Sequence, residues 1–149
     1  MSTPKSVSRI RLRQVRDGSV RFVADKITSP EAVVACVAPF YKGLDREALS
    51  IFCVDSHCQP IAFHVVALGQ LNAARARPAD ILKAALVCNA NGILLVHNHP
   101  SGVCEPSEDD VLFTRSVHRA CQLLGIDLLD HIVVTDDSYT SLRSRGLLP

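Results

Sequence analysis

Residues 93–110 read Ile93-Leu94-Leu95-Val96-His97-Asn98-His99-Pro100-Ser101-Gly102-Val103-Cys104-Glu105-Pro106-Ser107-Glu108-Asp109-Asp110. Four apolar residues in a row predict a short, fully buried strand, and this one runs straight into His97. Pro100 stops the strand and turns the chain away from the sheet. Gly102 and Pro106 keep the next stretch in a loop. Ser107 then opens a helix, with a hydroxyl to cap it and acids near the positive end of its dipole. That helix is expected to run to about Leu124 and to end at Gly125, with Leu112, Phe113, Val117, Ala120, Cys121 and Leu124 as its apolar stripe.

The spacing within this stretch has a chemical meaning. Side chains two apart on a strand lie on the same side, so His97 and His99 can converge on one ion. The loop returns the chain so that Asp110, in the first helical turn, can face both imidazoles. Two neutral imidazoles and a carboxylate suit zinc and leave a fourth position for water. A metal-free account of part of the pattern exists, because Ser107 and Asp110 also read as a helix cap with an acid at the third position. That account leaves unexplained why two polar histidines end a buried strand.

Working outward, the remaining elements interleave. Arg9-Ile10-Arg11-Leu12-Arg13 alternates strictly and predicts an outer strand, which Asp17-Gly18 turns back into a partner at Val20–Val23. Ser29-Pro30-Glu31 starts a helix that reaches about Phe40. Ala48–Val54 and Ile61–Leu68 form a hairpin of buried strands. Pro78 opens a helix that ends before Asn89-Ala90-Asn91-Gly92. His131–Thr135 and Tyr139–Leu142 close the chain as a last hairpin. The predicted fold class is mixed α/β, a central mixed sheet with hairpins flanked by helices. Residues 1–28 read as a strand-hairpin extension and 29–149 as one compact domain.

Composition narrows the function. A chain of 149 residues, 48% apolar, buries a real core. The net charge of +1 argues against a protein built to coat nucleic acid, for which only Arg9, Arg11, Arg13 and Arg16 are candidates. No apolar run approaches the ~20 residues that cross a bilayer, so no membrane association is expected. Met1–Arg13 is polar and basic without a hydrophobic stretch behind it, so the expected location is the cytoplasm. Cys36, Cys53, Cys58, Cys88, Cys104 and Cys121 form no C-x-x-C pair and read as reduced thiols. No feature specifies an oligomeric state.

Leu94–Gly102 with Pro106, Ser107 and Asp110, and Leu123–Val134 downstream, resemble the signature of RadC-type proteins of the JAB/MPN+ (JAMM) metalloprotein superfamily. The similarity runs from about Arg46 to Leu147. It implies a JAB/MPN-like, cytidine-deaminase-like fold, without the helix-hairpin-helix segment of longer RadC-type proteins. It also implies zinc held by His97, His99 and Asp110, with Ser107 helping to stabilise the oxyanion. The reaction implied is hydrolysis of an amide or isopeptide bond in a protein or peptide. In the superfamily a glutamate on an upstream strand is the general base. Aligning Ile61–Leu71 with that strand puts His64 where the glutamate belongs. An imidazole there has three fates: base, fourth ligand, or neither. Cys104 in the loop reads as an ordinary loop cysteine, and His131 as a structural histidine or one supporting a ligand.

Two classes of function follow from the resemblance. One is a zinc-dependent, metallopeptidase-like hydrolase; the other is a zinc-binding module with little catalysis and a regulatory or DNA-repair-associated role. His64 is the residue that divides them.

Overall fold

The computed structural model describes residues 6–69 and 77–149. Met1–Lys5 of the basic N-terminus, and Gln70 and Leu71 of the segment aligned with the glutamate strand, lie outside them. The described elements run α1 (Pro30–Tyr41), β1 (Ala48–Val54), β2 (Pro60–Leu68), α2 (Pro78–Val87), β3 (Gly92–Asn98), α3 (Glu108–Leu124), β4 (Asp127–Val134) and β5 (Tyr139–Ser141). The five strands form one mixed sheet in the order β2-β1-β3-β4-β5. The pair β3–β4 is parallel and the other pairs are antiparallel. The mixed α/β class expected from the sequence is the class observed.

Alternation along the strands sorts the core into two halves. Ile93 and Leu95 of β3, with Leu49 and Ile51 of β1, face Ile81 of α2 and Val117 of α3. Leu94 and Val96, with Phe52 and Val54, face Val33 and Val37 of α1. Helices therefore cover both faces, which is why β1 and β3 are buried along their whole length. By the same alternation His97 points toward α3 and Asn98 toward α1.

Three expectations are corrected. Residues 6–23 carry no strand, so the hairpin expected at Arg9–Val23 is not formed. Ile10 and Leu12 are 77% and 76% exposed, and a two-stranded hairpin with no apolar surface beneath it has little to hold it. The segment instead attaches through Phe22, whose ring lies 6.3 Å from that of Phe52, and through Ile27, whose N–H donates to the Cys58 carbonyl. Next, β4 starts at Asp127 rather than at His131. Asp130 hides the apolar pattern there, yet it is buried because its carboxylate accepts from Ser141 Oγ and from the N–H groups of His131 and Arg143. Finally, α3 buries Thr114, Val117 and Cys121, while Leu112 and Leu124 are exposed. The inner face of α3 is thus rotated toward Asp110 and Thr114, and it contains polar atoms because it looks onto His97 and His131.

No described helix is long and apolar enough to cross a membrane. All six cysteines are free thiols.

Candidate metal centre

The centre lies where β3 ends beside the start of α3. Ser107 caps α3: its Oγ accepts from the Asp110 N–H at 3.1 Å, and its own N–H donates to Asp110 Oδ2 at 2.8 Å. This reciprocal cap fixes the Asp110 carboxylate at the helix entrance. Gly125, with φ of +68°, closes the other end in the left-handed region that glycine enters without strain. Ser107→Ala should cost ~0.5–2 kcal/mol of stability, read as a shift in the denaturant midpoint without a change in slope.

His97 comes off the last residues of β3, and His99 follows just past the strand, its N–H bonded to the Val134 carbonyl at 3.0 Å. The two Nε2 atoms are 3.0 Å apart. His97 Nε2 is 3.2 Å from Asp110 Oδ1, and His99 Nε2 is 3.2 Å from Asp110 Oδ2. Four ligands tetrahedral about zinc at 2.0–2.1 Å would stand about 3.3 Å from one another. The two imidazole contacts use different oxygens of Asp110, and with one donor atom taken from each residue all three lie within 4.8 Å of one another, a group that can hold a metal ion.

The outer ring nitrogens are held as well. His99 Nδ1 donates to the Val103 carbonyl at 2.8 Å, which leaves Nε2 facing Asp110. His97 Nδ1 lies 2.7 Å from Nε2 of His131, a buried residue of β4. His131 is not among the converging donors; it stands directly behind one of them.

The electrostatics follow from this packing. Burial alone would raise the Asp110 carboxyl, but hydrogen bonds from His97 and His99 outweigh it and hold the group well below the carboxylate range. The bond to Asp110 pulls His99 above its ordinary 6.5 against the opposing effect of burial, helped by the Val103 carbonyl and the charges of Asp110 and Glu47. Burial pushes His131 well below 6.5, so it is neutral near physiological pH.

The signs give a pH prediction. A raised histidine is protonated until the pH passes its folded value, and a proton on His99 competes with a metal. In the metal-free protein the His99–Asp110 pair stabilises the fold fully below the unfolded histidine value and fades as pH rises through the folded one. Metal affinity should run the other way, falling as pH drops through a midpoint above 6.5. Chelator competition across pH 5–9 measures this; a flat profile would contradict it.

Glu47 is the site residue that the sequence reading missed. Leu49 pairs with His97 in the antiparallel β1–β3 ladder, and the same register carried two residues further sets Glu47 opposite His99. Alternation puts Glu47 on the face of Leu49, the face of the metal group. Its charge is felt at His99. Asn98 holds the segment in place. Its Oδ1 accepts from the Ala48 N–H at 2.7 Å, and its Nδ2 donates to the Arg46 carbonyl at 3.1 Å, one bond on either side of Glu47. Asn98→Ala would leave a buried N–H without a partner, so a loss of about 1–3 kcal/mol is expected in urea unfolding.

His64 is elsewhere. It lies on the edge strand β2, exposed, paired with Ile51, which in turn pairs with Leu95 rather than His97. Two inter-strand steps of ~4.8 Å and an offset of two residues put its backbone about 12 Å from that of His97. His64 is not among the converging donors, so the fourth-ligand fate is not the arrangement found here. Cys104 is lowered by hydrogen bonds from Ser138 and Thr140, and it is not part of the converging group.

A family model described as the RadC-like JAB domain matches residues 27–147. This begins before α1, earlier than the motifs alone indicated. Among curated relatives, a UPF0758 protein of Desulforamulus reducens is 37% identical over 82% of the chain and 54% of its own length. One from Pseudoalteromonas translucida is 34% identical over 93% of the chain and 65% of its own length. Another from Aquifex aeolicus is 41% identical over 69% of the chain and 45% of its own length. The chain spans roughly half to two thirds of the length of these relatives.

Proposed function

The chain belongs to the RadC-like JAB domain family, and on that premise we propose that it is a zinc-dependent hydrolase of amide or isopeptide bonds in a protein or peptide. The observation that carries this reading is the convergence of His97, His99 and Asp110 on one point, with the charge of Glu47 acting on His99. A pair of imidazoles with one carboxylate favours zinc over magnesium or calcium, which take oxygen donors.

A zinc ion held there would supply Lewis acidity toward a scissile carbonyl. The chain's own groups divide the remaining work. His97, His99 and Asp110 hold the ion. Glu47 takes a proton from the attacking water and returns it to the leaving amine, so that water oxygen bonds to the carbonyl carbon as the C–N bond breaks. Ser107 lends its oxygen to the Asp110 N–H, which leaves its hydroxyl proton free to donate to the developing oxyanion. The two roles of Ser107 separate experimentally, since Ser107→Ala should lower turnover by more than its stability loss explains.

The test is cleavage by the zinc-loaded protein of a peptide pool that includes lysine side-chain-linked isopeptides, read by mass spectrometry. Cleavage should disappear with a chelator and return with added zinc. If the loaded protein cleaves nothing in the pool, the hydrolase reading gives way to a zinc-binding module.

A further inference from the structure

We propose that His131 and Thr114 form a one-way hydrogen-bond chain that fixes which nitrogen of His97 is offered to the metal, which makes both of them positioning residues of the centre. The inference rests on the metal reading above. It starts from a proton count at Thr114. Its Oγ1 lies 2.6 Å from the Asp110 backbone carbonyl and 2.6 Å from His131 Nδ1. A hydroxyl has one proton, and a carbonyl only accepts. If the proton went to His131, two acceptor oxygens would face each other at 2.6 Å. The hydroxyl therefore donates to the carbonyl and accepts from His131, and the proton of His131 sits on Nδ1.

The rest of the chain follows. His131 is fully buried, where a charged imidazole would be costly, so it carries that one proton only. Its Nε2 is then a lone pair, facing His97 Nδ1 at 2.7 Å. His97 must donate there, and the nitrogen it turns toward Asp110 and His99 is Nε2. At His99 a backbone carbonyl does this job directly. At His97 the neighbour is a second imidazole, which by itself could donate or accept. Thr114 removes that freedom. The chain begins at one ligand, His97, and ends on the carbonyl of another, Asp110, so β3 and the first turn of α3 are linked through it.

The experiment labels the histidines of the full chain with ¹⁵N and reads long-range ¹H–¹⁵N correlations, with and without zinc. His131 should be protonated at Nδ1 and bare at Nε2 in both states. Thr114→Val keeps the side-chain shape and removes the hydroxyl. It should lower zinc affinity about 10–100-fold in chelator competition and lose the single tautomer of His131. Thr114→Ser should restore both. His131 protonated at Nε2 would overturn the proposal, and so would folded Thr114→Val with wild-type zinc affinity. If Thr114→Val does not fold, the wild-type tautomer and the Thr114→Ser affinity decide the matter. Wild-type protein that takes up no zinc would defeat the metal reading instead, while the tautomer still judges the chain.

Discussion

Replacing Glu47 with glutamine is expected to lower turnover by about 10²–10⁴-fold, the range that a positioned general base contributes, while zinc content stays at the wild-type level. Glutamine keeps the size and hydrogen-bonding reach of the side chain, so the loss would report the missing proton acceptor and not a disturbed fold. The expectation rests on placement. The β1–β3 register sets Glu47 opposite His99 and on the face of the metal group, and Asn98 holds the backbone on both sides of it. Because the carboxylate is not counted among the converging donors, its loss should spare the metal. The control is His64→Ala, which should leave turnover nearly unchanged, since His64 is exposed on an edge strand two positions across the sheet. If His64→Ala is the crippled variant and Glu47→Gln is not, the assignment of the base is wrong.

The contrast between Glu47 and His64 shows what the sequence could carry. The ligand triad was legible because its three residues lie within one strand-loop-helix unit, where spacing translates directly into geometry. The proposed base, Glu47, directly precedes a different strand, β1, and its place depends on which strand pairs with β3. Local spacing sets no register for that pairing, and the family resemblance points to β2 instead. A cue did exist: Glu47 immediately precedes seven residues that are all buried, just as His97 follows a buried run. A polar residue at the end of a fully buried run marks the same sheet end in both cases. His131 was visible as a histidine of interest, but its partner Thr114 was not, since a threonine on a helix face looks like a neutral filler until the helix rotation is known. The N-terminal alternation failed for another reason. Period-two patterning describes a strand that has a sheet to join, and residues 6–23 have none.

The other large effect concerns the metal itself. His97→Ala and Asp110→Ala should each weaken zinc binding by more than about 100-fold, the upper end of what losing only a supporting partner costs. Each removes one of three protein donors and leaves the other two without the geometry that β3 and the α3 cap impose. Asp110→Ala also breaks the reciprocal cap with Ser107, so its stability should fall even without metal. His97→Ala leaves the cap intact, which makes it the cleaner of the two. In wild-type protein zinc should raise the melting temperature by mass action, and this rise should vanish in both variants.

Elemental analysis of the zinc-loaded and dialysed protein, alongside His97→Ala, His99→Ala and Asp110→Ala, is the most direct test of the centre. The expected result is about one zinc per wild-type chain, as a three-ligand site with one open position requires, and almost none in the three variants. Variants that all keep wild-type zinc would contradict the site.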